Sequence, residues 1–120
     1  MHTAYIGKWH LDGGDYFGLG VAPEGWDPDA WYDMRNYLEE LTEDERRYSR
    51  SKNWDDETAP APEFTFAYRV ATRAREYIRR HADEDFFLVV SFDEPHGPSL
   101  CPQPYAGQYK DFELPKRPNV

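Results

Sequence analysis

Two short stretches of the chain hold residue types suited to anion and acid–base chemistry. The first is Gly7-Lys8-Trp9-His10. Side chains two apart on an extended strand point the same way, so Lys8 and His10 share one side while Trp9 packs on the other. A permanent cation beside an imidazole suits an oxyanion such as sulfate or phosphate. The lysine supplies charge, and the histidine donates or accepts a proton near neutral pH. A surface lysine next to a hydrogen-bonded histidine gives the same pattern. The second stretch is Asp93-Glu94-Pro95-His96-Gly97-Pro98. A histidine held between two prolines has little backbone freedom, which is what a positioned donor needs. A Pro-Gly turn whose histidine merely caps a strand end shares this spacing. Asp93 and Glu94 offer metal ligands or general bases, or simply solvated carboxylates.

The elements that must position these residues are readable in outline. Residues 3–9 are rich in β-favouring types and read as a short strand. Residues 12–30 hold five Gly, two Pro and four Asp and read as irregular loop. Trp31, Met34, Leu38 and Leu41 have helical spacing and predict a helix over 31–41. Thr42 and Glu45 fit a capping box opening a second helix over 43–51. Residues 52–62 form an acidic, proline-bearing connection. The strongest helix pattern runs over 64–81, with Ala67, Val70, Ala71, Ala74, Tyr77 and Ile78 on one face. Arg69, Arg73, Arg79 and Arg80 lie around the rest and read as a solvated face. Phe86 to Phe92 is apolar on both faces, as in a central parallel strand.

A strand, an excursion over 12–62, a helix and a buried strand make a βαβ crossover with a loop-rich insertion. This predicts an α/β sheet with helix cover. Open sheets of that class bind ligands beyond the carboxyl ends of their strands, where both stretches fall. Two good strands and one good helix are a short inventory, as though taken from the middle of a larger domain.

Composition narrows the partners. The 120 residues carry 23 acidic and 14 basic side chains, a net charge of −9. Such a balance opposes nucleic-acid binding, which needs a basic face. It leaves anionic substrates open, because a few placed cations can overrule the net field locally. Twenty Trp, Tyr and Phe argue against disorder. The single cysteine, Cys101, allows no internal disulfide. The run Phe86–Val90 is far shorter than the ~20 residues a membrane span needs, and Met1 opens no signal-peptide pattern.

The residues also carry a family likeness. Thr3-Ala4-Tyr5-Ile6-Gly7-Lys8-Trp9-His10-Leu11 resembles the second signature of the sulfatase family, and Gly25-Trp26-Asp27 resembles the Gly-aromatic-Asp after it. The stretch from Phe86 to Pro98 resembles the family's later strand ending in Pro-His-x-Pro. The 65–80 helix and the proline-rich tail 102–118 match in order. The resemblance implies an alkaline-phosphatase-like fold, a partial mixed sheet with helices on its faces, with residues 1–120 as part of one catalytic domain. It implies hydrolysis of sulfate esters or sulfamates by a formylglycine nucleophile beside a bound calcium. Lys8 matches the lysine that holds a sulfate oxygen, and His10 the histidine that contacts the formylglycine hydrate and helps eliminate sulfate. His96 matches the histidine that touches the sulfate and the leaving-group oxygen. The site is thus expected to be locally cationic.

No Cys/Ser-x-Pro/Ala-x-Arg motif is present, and Cys101 is followed by Pro102, Gln103, Pro104 and Tyr105, so it is a loop thiol near the site. The nucleophile segment and one pair of calcium ligands are expected upstream of residue 1. The Asp-Asn calcium pair and a second lysine are expected downstream of residue 120. The 120 residues alone are then inactive and expected to unfold with weak cooperativity. The expected partner is a sulfated small molecule or glycan, with no nucleic acid and no membrane. Export is common in the family, so localisation stays open. A related phosphonate or phosphodiester hydrolase is the alternative enzyme. A non-catalytic segment stacking Trp9, Trp26, Trp31, Tyr32 and Trp54 on sugars is the alternative outside enzymes.

Overall fold

The computed structural model describes residues 1–13, 15–51, 54 and 57–115. Strand β1 (His2–Gly7) is its spine. It pairs in parallel with β2 (Trp31–Tyr32) on one edge and β3 (Phe86–Ser91) on the other. Tyr5 and Ile6 lie opposite Trp31 and Tyr32, while His2 through Gly7 lie opposite Phe86 through Ser91. The α/β class expected from the sequence is the one the chain adopts, and the carboxyl ends of all three strands point one way.

The alternation of β1 divides its side chains between two layers. Ala4 and Ile6 face helix α3 (Phe66–Arg80), where Phe66, Val70, Ala74 and Tyr77 are buried. Tyr5 faces the other way into an aromatic cluster. Its ring stacks on Trp31 at 5.3 Å and meets the edges of Trp9 and Trp26 at 4.9 and 5.3 Å. Trp31 and Tyr32 are buried and Trp9 and Trp26 half-buried, so packing occupies the rings considered above for sugar stacking. Trp54 packs on Tyr48 and Phe64.

Three local expectations are corrected. The helix predicted over 31–41 begins only at Met34. Trp31 and Tyr32 are strand-favouring aromatics that extend the sheet, and Asp33 then caps helix α1 (Met34–Glu39). The apolar face of α3 is rotated from the predicted one: Ala71 and Ile78 are exposed and Phe66 is buried. Nor is the arginine face simply solvated. Arg69 pairs with Glu40 at 2.7 Å, Arg73 pairs with the same carboxylate, and the Arg73 guanidinium lies 4.0 Å from the Tyr32 ring. Helix α2 (Glu43–Ser49) forms with the predicted reciprocal Thr42–Glu45 cap.

Strand β3 is apolar on both faces, as read, but among the described residues it lies at the edge of the sheet rather than in its centre. Phe87, Val90 and Phe92 are accordingly exposed. Parts of the 52–62 connection (52, 53, 55 and 56) and of the proline-rich tail (116–118) lie outside the described residues.

Candidate active site at the carboxyl ends of the strands

Glycine ends β1. Gly7 has φ 133°, and a Cβ there would collide with the Ser91 carbonyl oxygen of β3. This close approach lets Lys8 N donate to Ser91 O at 2.7 Å, so the two strand ends are tied together where both motifs emerge. Beyond Gly7 the alternation persists. Trp9 packs edge-on against Trp31 at 5.1 Å, while Lys8 and His10 turn to the opposite side.

What Lys8 and His10 meet there is Tyr16. The Lys8 ammonium donates to the Tyr16 carbonyl and lies 3.0 Å from the centre of its ring. The His10 ring approaches the Tyr16 ring edge-on at 5.8 Å, and the His96 ring lies 5.2 Å from it. The Tyr16 hydroxyl donates to Asp93 Oδ2 at 2.6 Å and lies 3.3 Å from His96 Nδ1. That same Nδ1 lies 2.8 Å from the Gly97 carbonyl. A carbonyl can only accept, so Nδ1 acts as the donor in this contact. The three residues singled out from the sequence are thus brought around one tyrosine.

Electrostatics sharpen this arrangement. Burial holds the Lys8 ammonium below the ordinary lysine range, while Asp93, Asp15, Asp12 and Asp33 oppose that shift. The neighbourhood is therefore mixed rather than purely cationic. Burial, and then the bond to Asp93, push the Tyr16 hydroxyl well above the ordinary tyrosine range. Tyr16 thus stays a protonated donor at neutral pH. Lys8 has three N–H donors, and the bond to Tyr16 uses one of them.

The loop carrying Tyr16 is anchored from below by the first turn of α1. Asp33 is fully buried and accepts from Gly20 N at 2.9 Å, Asn36 N at 3.1 Å and Trp31 Nε1 at 3.3 Å. Asn36 donates to Gly20 O at 3.0 Å, and Arg35 pairs with Asp15 at 2.9 Å. Gly18, at φ 82°, is where the loop passes over Asp33; a Cβ would lie 2.5 Å from Asp33 Oδ2.

Beside His96 opens a cavity of about 500 Å³. Tyr16, Phe17, Tyr37, Arg50, Trp54, Thr65 and Phe66 line it together with Asp93, Glu94 and His96 to Leu100. Cys101 is exposed at its rim between Leu100 and Pro102. Sequence reading missed Tyr16 and its bond to Asp93. A lone aromatic in a glycine- and aspartate-rich loop, eight residues beyond Lys8, has no periodicity to single it out.

Comparison with known proteins bears on what this arrangement belongs to. The family profile described as Sulfatase matches residues 1–119. An uncharacterized sulfatase of Escherichia coli K12, YidJ, is 48% identical over 92% of this chain and 24% of its own length. An ulvan-active sulfatase of Formosa agariphila is 29% identical over 99% of this chain and 23% of its own length. The chain thus spans about a quarter of the curated relatives it matches. No solved structure matches it significantly. A match over nearly every residue, with Lys8, His10 and His96 gathered at the strand ends, makes this chain a member of the sulfatase family.

Proposed function

We propose that this chain supplies the sulfate-facing side of a sulfuric ester hydrolase acting on sulfate esters or sulfamates, as one segment of a single catalytic domain. The observation that carries the reading is the convergence of Lys8, His10 and His96, from two strand ends, around Tyr16. In this reading Lys8 holds a sulfate oxygen with donors that Tyr16 does not use. His10 exchanges a proton as sulfate departs. His96 Nε2 faces the leaving-group oxygen, with its ring fixed through Nδ1. The cavity beside His96 takes the group that bears the sulfate, a small aromatic or a sugar.

The residues at these strand ends do not fit the nucleophile or the calcium that the family resemblance implies. The chain has no formylglycine motif, and Asp93 already accepts from Tyr16. Among the described residues, the three-fold group of metal-ligating side chains is His2, His81 and Glu84, at the opposite end of the sheet.

The test is hydrolysis by the full-length protein of an aryl sulfate, an aryl phosphate and a sulfated saccharide. Lys8→Ala, His10→Ala and His96→Ala should each lower kcat/KM toward the sulfate by about 10²–10⁴-fold. Activity within a few-fold of wild type in all three variants would remove the assignment. Faster turnover of the phosphate than of the sulfate would move it to the related phosphoester hydrolases.

A further inference from the structure

The opposite pole of the sheet, at the amino ends of the strands, carries a second group of chemically able side chains. His2 opens β1, His81 caps the end of α3, and Glu84 lies in the turn that leads into β3. One ligand atom from each lies within 4.8 Å of the others. His2 Nε2 is 2.6 Å from Glu84 Oε2, His81 Nδ1 is 3.5 Å from Glu84 Oε1, and the two imidazole rings are 4.6 Å apart.

The backbone under this group is fixed. His2 N donates to Asp85 O and Glu84 N donates to His81 O, both at 3.0 Å. Asp27 is fixed too, by reciprocal bonds with Thr3 of 2.8 and 3.0 Å, and its carboxylate stands 4.0 Å from His2 Nδ1. A histidine hydrogen bond to a carboxylate accounts for His2 and Glu84 by itself. It does not account for His81. The Nδ1 of that ring is buried and makes no hydrogen bond, yet it points toward the Glu84 carboxylate. A buried polar atom without a partner is costly and asks for one.

We propose that His2, His81 and Glu84 form a binding site for a borderline-soft divalent ion, zinc foremost, far from the sulfate-facing site. Two imidazoles and one carboxylate select zinc and its first-row neighbours over calcium or magnesium, which require oxygen ligands. A tetrahedral ion with bonds of about 2.0–2.2 Å needs ligand atoms about 3.3–3.6 Å apart. His81 and Glu84 stand at that spacing, and His2 and Glu84, hydrogen-bonded at 2.6 Å, would part by about 1 Å to admit the ion. Asp27 stands on the far side of the His2 ring, where an outer carboxylate orients a ligating histidine. His2 and Glu84 are about half exposed, which leaves a coordination position open to water. The ion would fasten the start of β1 to the turn between α3 and β3.

The experiment uses the untagged full-length protein that carries this segment, freed of metal by chelation. Zinc is titrated by calorimetry and by competition with a chromogenic zinc indicator, and cobalt binding is followed by the visible bands of a four-coordinate ion. The expected result is binding of about one ion per chain, with affinity lowered at least about tenfold in His81→Gln and in Glu84→Gln. His10→Ala and His96→Ala should keep the wild-type affinity. Zinc should also raise the thermal midpoint of the wild-type chain and leave that of Glu84→Gln unmoved. Glu84 is a half-exposed turn residue, so that variant remains foldable and informative. No binding at millimolar zinc overturns the proposal. So does affinity unchanged in both His81→Gln and Glu84→Gln, or lost in His10→Ala or His96→Ala.

Discussion

Tyr16 performs three separable tasks with one side chain and its own backbone. The carbonyl accepts from Lys8, the ring lies against the ammonium, and the hydroxyl reaches Asp93. Tyr16→Phe removes only the last. It should cost about 1.5–3 kcal/mol in urea unfolding, the usual loss for a hydrogen bond to a charged group, and leave the cation over the ring. Tyr16→Ala removes the ring as well and should cost distinctly more. Equal losses in the two variants would show that the ring contributes nothing. Lys8 and His96 stood out in the sequence because each sits beside glycine or proline at the end of a β-rich run, and His10 because it lies two residues beyond Lys8. Tyr16 was not legible, because its role exists only once two strand ends separated by an insertion stand side by side.

At the scale of elements, the first turn of α1 governs more than its own helix. The Asp33 carboxylate accepts three donors in a buried setting, and two of them, Gly20 N and Trp31 Nε1, lie outside the helix. Asp33→Ala therefore removes an N-cap and strands buried donors. The expected loss is about 2–4 kcal/mol by urea denaturation. Asp33→Asn keeps one acceptor oxygen and should lose less. A shift in Asp33→Ala below about 1 kcal/mol would mean that solvent takes over the donors. The capping box of α2 was readable because Thr42 and Glu45 satisfy each other locally. The start of α1 was misread because Trp31 and Tyr32 fit a helical spacing but are claimed by the edge of β1, a tertiary partner that periodicity cannot reveal. The face of α3 was misplaced for a related reason. Glu40 draws Arg69 and Arg73 against the aromatic rings of Tyr37 and Tyr32, and the helix turns accordingly.

For the whole molecule, stability should form a plateau with a different cause at each edge. Asp15 is held below its ordinary 3.8 by the Phe17 N–H and then Arg35, and Glu45 below its ordinary 4.5 by its bonds to Thr42. A lowered carboxyl contributes stability that is present above those ordinary values and lost as pH falls through the lower folded ones. On the other side, burial raises Tyr16, Tyr32, Tyr37 and Tyr77 above their ordinary 10.0. A raised tyrosine contributes stability that is present below 10.0 and lost as pH rises past it. Thermal midpoints should thus fall as pH drops below about 4 and as it rises past about 10. Phenolate absorbance should show these four tyrosines ionising later than the remainder. A midpoint that declines steadily from pH 7 to 10 would contradict this account. The α/β class was legible at this scale because helical and strand periods are distinct. Among the described residues β3 lies at the sheet edge, and its apolar run records what the strand can bury rather than which neighbours flank it.

The cluster around Tyr5 gives the chain an optical signature. Three of its four tryptophans, Trp9, Trp26 and Trp31, surround that one phenol at 4.9 to 5.3 Å. Rings this close exchange excitation and couple their transition dipoles. The near-ultraviolet circular dichroism should therefore carry a strong contribution from this cluster. Loosening of the 9–31 loop should be visible in the native protein without a label.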